Sequence, residues 1–310
     1  MTKTLTRLAG ILACAASVAA AGCASNASLP AGTQPQAQAV FTGPGWISEH
    51  GVIYHRPHYM GTRSMQHGQV RPDLQLVYGG GPVLTNPQMY LIFWGWGTND
   101  PNGVKPLILQ YAQSIGGSAY NNIYTQYSGP SGHITNPSSQ YAGAYYDNTN
   151  SVPRHPTDAQ IAAEAKYVVG KVGYNANWSY AVLTPHGKST RGFATQWCAY
   201  HSSTVYNNQI VSYTDLPYMP DGGSSCGANI DQPPSDESGA DEGETIVEGH
   251  EYGESVTDPN PPSGWYNNSK GEIGDICAWT NIQNDPYGSN SYTAQPMFSN
   301  ASSSCVHHYP

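Results

Sequence analysis

His250, Glu251 and Glu254 form a His-Glu-x-x-Glu run in which the two outer residues are four apart. On a helix of 3.6 residues per turn, residues i and i+4 face the same way about one turn apart. In a His-Glu-x-x-His helix, two histidines at that spacing hold zinc and the glutamate beside the first acts as general base. Here the second position is a carboxylate, which ligates zinc at about the same distance as an imidazole and lowers the positive charge of the site. The spacing therefore predicts His250 and Glu254 as ligands and Glu251 as the base. A third ligand is expected farther on, in Gly271-Glu272-Ile273-Gly274-Asp275-Ile276-Cys277. Glu272 is the candidate, and Asp275 is expected behind the ligands, orienting a histidine. Asp258, two turns after His250, is a rival ligand. With 11 His in 310 residues, such a run arises by chance roughly 0.01 times.

The acidic residues are concentrated here. Between Asp236 and Asp275 lie 11 of the chain's 21 acidic residues, against one Lys, Lys270. Like charges at that density repel unless a cation neutralises them. A bound metal is the simplest source, zinc first and calcium as the alternative, because hard oxygen ligands dominate the segment. The stretch from Asp236 to Glu242 reads instead as a solvated acidic loop. His201, after Trp197-Cys198-Ala199-Tyr200, is expected as a polar residue satisfied at a strand end, the alternative being a donor to a reacting carbonyl. No Gly-x-Ser-x-Gly, phosphate loop or dinucleotide fingerprint occurs.

These residues need a helix from Glu244 to Thr257, ended by Asp258-Pro259 because a residue before proline avoids the α region. Upstream, Gln88 to Gly95 is a short apolar run of the buried-strand type, with further strands expected at 141–146, 178–183, 194–200 and 210–213. Helices are expected at 106–115 and 119–127. Another begins at the cap Thr157 or Asp158 and stops at Gly173, with Ile161, Ala162, Ala165, Val168 and Val172 on its apolar face. Together these predict a mixed α/β (α+β) fold: a central sheet with a few packed helices, a zincin-like active helix and a disulfide-stapled C-terminal part.

Composition fits an exported chain. Charged residues are only 11%, against a norm of roughly 25%, while Gly 34, Pro 24 and Tyr 23 are abundant. Residues 1–22 read as a signal peptide, with Lys3 and Arg7 ahead of a small-residue apolar run that is too short to span a bilayer. Ala20-Ala21-Gly22-Cys23 resembles a lipobox that would lipidate Cys23, although Ala20 stands where Leu is usual; ordinary secretion is the alternative. Losing two positive charges with the leader takes the net charge from −9 to −11, which excludes nucleic acid as a partner. Residues 23–73 are expected to be an anchor tether and a linker carrying His50, His55, His58 and His67, clustered histidines that can bind metal but whose irregular spacing favours a surface segment or pro-region, and 74–310 a single globular domain. Membrane contact is expected only through the lipid anchor. Four cysteines remain for the domain, and three pairings are possible. The local one, Cys198 with Cys226 and Cys277 with Cys305, is preferred because each bond closes a Gly/Ser/Asn-rich loop.

The block His250-Glu251-x-x-Glu254-x-x-Thr257-Asp258-Pro259, then Gly264-Trp265-Tyr266, then Glu272-Ile273-x-Asp275-x-Cys277, resembles the plant EXORDIUM-like (phosphate-induced) secreted proteins and a looser set of bacterial exported proteins. Tyr90 to Gly95 looks like that family's first core strand, and the likeness covers roughly 75–310. It implies an extracytoplasmic protein, in plants associated with the cell wall and growth, and no settled activity. Asp258, where Asn is common, and the lipobox depart from the plant pattern.

The resulting expectation is a secreted or lipid-anchored metal-dependent hydrolase, a zinc peptidase acting on peptide or protein. The alternative is a non-catalytic envelope or matrix protein with a structural Zn or Ca site, binding glycan or protein through its tyrosines.

Overall fold

The computed structural model describes residues 41, 43–65, 74–231 and 237–310. The expected leader, Cys23 and the tether to residue 40 lie outside the described residues, as do His67 and Asp236.

Eight strands form one mixed sheet: β1 (Trp46–Glu49), β2 (Val52–His55), β3 (His58–Gly61), β4 (Gln88–Trp94), β5 (Tyr141–Asp147), β6 (Trp178–Leu183), β7 (Trp197–Tyr206) and β8 (Gln209–Leu216). Their order is β1-β2-β7-β8-β6-β4-β5, with β3 also paired to β7. Strands β5, β4, β6 and β8 run parallel, β4 to β5 and β5 to β6 being joined through helices, while β7 lies between β6 and β8 in sequence and pairs antiparallel to β8. The β7–β8 hairpin turns on Asn207-Asn208, both at positive φ, where asparagine is tolerated best after glycine.

Three helices cover the sheet: α1 (Val104–Ser114), α2 (Asp158–Val172) and α3 (Glu242–Thr257). Thr157 caps α2 in a capping box with Gln160, and Gly173 ends it at φ 95°. The expected helix at 119–127 is a 3-10 segment, Asn121–Gln126. Both sheet faces are covered, so β4 is apolar along almost its whole length. Tyr90, Ile92 and Trp94 join the core under α2, while Leu91 and Phe93 join the one that includes Ile246, Val247 and Val256 of α3.

One expectation is corrected. Residues 46–61 are not linker: β2 and β3 pair with β7, and β1 pairs with β2, so these strands build one edge of the sheet and the folded unit starts well before residue 74. Their short alternating runs between Gly and Pro carry little periodic signal, and the pairing that orders them lies some 140 residues away in sequence.

Disulfides Cys198–Cys226 and Cys277–Cys305 have the local connectivity. The first ties β7 to the approach to α3, and the second ties the turn after Glu272 to the last strand. They fit an oxidising, extracytoplasmic environment. Among the described residues no helix is long and apolar enough to cross a membrane.

Candidate metal centre

All sixteen residues of α3 are buried, including Glu242, Glu244, Glu248, His250, Glu251 and Glu254. Ionised side chains almost never occupy such positions without partners. The expected solvated loop is corrected for the same reason. Glu237, Asp241 and Glu242 are interior, Glu237 accepting from the Thr293 N–H and Thr245 hydroxyl, Glu242 from the Ile230 and Asp231 N–H groups, and Asp241 from Ser238. Farther along, burial pushes the carboxyls of Glu244 and Glu248 well above the usual range, which favours their neutral form. Part of the acidic excess is thus absorbed by N–H donors and protons.

The middle of α3 is different. His201 projects from β7, and the β3–β7 register sets His58 directly opposite it. His201 Nδ1 lies 3.2 Å from Glu251 Oε2 and 3.4 Å from Glu254 Oε2, and His201 Nε2 lies 3.1 Å from Glu272 Oε2. His250 Nε2 is 3.1 Å from Glu254 Oε1 and 3.7 Å from Asp275 Oδ1. His58 Nε2 sits 2.6 Å from Asp275 Oδ2. The Asp275 N–H donates to Glu254 Oε1 at 3.0 Å.

Many of these close approaches are not hydrogen bonds. Both nitrogens of His250, His201 Nε2, Glu251 Oε1, Glu254 Oε2 and both oxygens of Glu272 are buried without a hydrogen-bond partner. Ligand atoms held about 2.0–2.2 Å from a tetrahedral ion are themselves about 3.3–3.6 Å apart, close to the separations seen here. Three groups could each hold a cation with one atom per residue: His58 with Glu254 and Asp275, His201 with Glu254 and Glu272, and His250 with Glu251 and Glu254.

Glycine makes the packing possible. A Cβ on Gly274 would lie 2.7 Å from His250 Nδ1, and one on Gly271, at φ +88°, would lie 2.1 Å from Asp275 Oδ2.

Electrostatics follow from the geometry. Burial of His250 opposes its protonation, yet Glu254 beside it raises its pKa to about 9. Burial likewise opposes protonation of His201, but Glu272, Glu251 and Glu254 push it well above the ordinary value. Glu254 is held well below the carboxylate range: desolvation would raise it, but His250 and His201 more than compensate. Burial drives Glu251, Glu272 and Asp258 upward.

The expected residues are therefore gathered, with a different partition. Glu254 is common to all three groups, and Glu272 reaches it together with His201 instead of with His250. Asp275 is beside two histidines, His58 and His250. Asp258 accepts from the Ser263 N–H and enters none of the groups found among the described residues. His201 and His58 were not expected as ligands. His201 lies inside β7, fully buried, and not at a strand end. Its one sequence signal is alternation: Ala199, His201 and Ser203 share the strand face opposite Tyr200, so a histidine stands in an interior row.

His58 is the partly open member, its side chain 29% exposed. It lines a cavity of about 460 Å³ with Arg56, Pro57, Pro261 and Pro262.

Comparison with protein-family models, curated proteins and solved structures finds no match for this chain.

Proposed function

We propose that the protein is an extracytoplasmic metal-dependent hydrolase, lipid-anchored through Cys23 or secreted, with a zincin-like helix and a peptide or protein as substrate. The carrying observation is the convergence of three imidazoles and three carboxylates on a fourth, Glu254, in the interior, with both nitrogens of His250, His201 Nε2, Glu254 Oε2 and both oxygens of Glu272 unpartnered. Nitrogen donors favour zinc over calcium, which takes oxygen almost alone. His201, Glu254 and Glu272 would hold the ion, with His250 beside Glu254. A bound zinc supplies Lewis acidity and acidifies water.

The chain's own residues have the following roles in this reading. Glu251 Oε2 accepts from His201 Nδ1, fixing the tautomer that frees Nε2 toward Glu272. Its other oxygen, Oε1, is unpartnered and can take a proton, and burial raises its basicity. The cavity at His58 is the approach for substrate. The extracytoplasmic setting agrees with the EXORDIUM-like resemblance.

A second reading, a non-catalytic protein stapled by a structural metal, is favoured by one observation: all members of the cluster except His58 are buried. Two measurements on the full-length protein test both. Elemental mass spectrometry should find zinc in the wild type and lose it in His250→Ala and His201→Ala. Hydrolysis of a quenched fluorescent peptide mixture should fall roughly 10²–10⁴-fold in Glu251→Gln with metal retained. No metal in any form refutes the metal centre; metal with no Glu251-dependent turnover leaves the structural reading.

A further inference from the structure

Glu254 has different neighbours on its two oxygens. Oε1 faces His250 Nε2 at 3.1 Å, on the side where His250 approaches Asp275, and Asp275 in turn meets His58. Oε2 faces His201 at 3.4 Å, and the far nitrogen of that ring meets Glu272. A carboxylate flanked on both oxygens by separate imidazole and carboxylate donors has the form of a bridge.

We propose that the centre holds two divalent cations with Glu254 as the bridging carboxylate. His58, His250 and Asp275 serve one ion, and His201 and Glu272 the other. This rests on the metal-centre reading above and deepens it, adding His58 and Asp275 as ligands.

Charge supports two ions over one. The three groups contain four carboxylates, Glu251, Glu254, Glu272 and Asp275, and three imidazoles that must be neutral to ligate. Two divalent ions would match all four carboxylates in their ionised, ligating form, whereas one ion would leave the others to be neutralised by protons. The orphaned atoms point the same way, since His250 and Glu272 are both unpartnered and belong to different groups. Carboxylate-bridged pairs are an established way to place two metals in a protein interior, where they act together on one oxygen centre.

The test is stoichiometry, which needs no substrate. Full-length protein is equilibrated with excess Zn²⁺ at neutral pH, freed of unbound ion by gel filtration and assayed for metal per chain. Two equivalents are expected in the wild type and one in His58→Ala and in Asp275→Asn, each checked for native circular dichroism. His58 is partly exposed, so its truncation is the milder of the two. As a variant-free readout, Co²⁺ titration followed by electron paramagnetic resonance should show the signal of the first equivalent attenuated by spin coupling as the second binds. One equivalent in the wild type overturns the pair while leaving a single-metal centre standing. None overturns both readings. Two equivalents retained in both variants, or two uncoupled Co²⁺ signals, place the second ion elsewhere and overturn the assignment.

Discussion

Gly274→Ala separates packing from backbone effects at the centre. Gly274 sits in ordinary right-handed helical space, φ −82° and ψ −43°. Alanine adopts that conformation freely, and there Gly→Ala normally stabilises by about 0.4–1 kcal/mol through the unfolded chain. The contacts reverse the sign. The new Cβ would meet His250 Nδ1 at 2.7 Å and the adjacent ring carbons at 2.9 Å, against 3.4 Å or more for ordinary contact. A rigid, fully buried ring must retreat by roughly 0.5–1 Å, and overpacking of this kind costs about 1–3 kcal/mol. The net loss of stability is therefore modest, on the order of 1–2 kcal/mol.

The larger effect is on metal. Disturbing the support of a ligand lowers affinity about 10–100-fold, equivalent to about 1.4–2.8 kcal/mol. The assay is competition for Zn²⁺ against a chromophoric chelator, with urea unfolding of the metal-free protein alongside. Gly170→Ala in α2 is the control: its Cβ would meet Tyr206 only at 3.6 Å, so it should gain a few tenths of a kcal/mol and leave affinity unchanged. Wild-type Zn²⁺ affinity in Gly274→Ala would refute the assignment of His250 to the metal.

Three further outcomes follow from parts of the fold away from the centre. Glu164 is interior, and burial, with Asp147 nearby, raises its pKa to about 8, whereas Asp147, despite burial, is held low by Thr149 and Asn150. A carboxyl whose folded pKa lies above its unfolded value loses stability as pH rises from about 4.5 through 8, so Glu164→Gln should stabilise at pH 9 and do little at pH 4. With solvent screening of a partly wetted group allowed for, the gain is on the order of 1–2 kcal/mol, read from urea midpoints at the two pH values. Replacing Cys277 and Cys305 together by Ala opens a loop of sequence separation 28 and should cost roughly 3–4 kcal/mol in chemical denaturation. Thr157→Ala removes both the side-chain acceptor and the capping-box partner at the start of α2 and should cost about 1 kcal/mol.

Sequence exposed what is local. The helix carrying His250 to Thr257, the capped α2 and the apolar strand Gln88–Trp94 each announce themselves through periodicity or capping within a single window. Glu272 and Asp275 were legible because the acidic pair follows closely on that helix. His201 and His58 were not, since each contributes one histidine whose neighbours arrive by strand pairing: His58 reaches Asp275 across 217 positions. A charge-based reading also assumed that Glu237 to Glu242 faces water. The hairpin of Gln283–Tyr287 and Asn290–Ala294, which supplies the Thr293 N–H to Glu237, covers that stretch, and no local pattern encodes the cover.

The two halves of α3 bear on the proposed metal centre. Both carry buried carboxylates, yet they are satisfied differently. Glu242 and Glu244 each accept backbone N–H groups on one oxygen, from Ile230 and Asp231 and from Met219, while the other oxygen of each is unpartnered. Two turns later Glu251 and Glu254, joined by Glu272 from beyond the helix, are met by histidines, whose nitrogens can donate as cations or ligate as neutral rings. Had ion pairing alone been the purpose, lysine or arginine would supply permanent positive charge without leaving unpartnered lone pairs. On the proposed metal reading, the three imidazoles must lose their protons to ligate. A divalent cation bound there would displace those protons, so metal uptake should be accompanied by measurable proton release in weakly buffered solution. Uptake of Zn²⁺ without proton release near neutral pH would mean that the ion binds somewhere other than among these histidines.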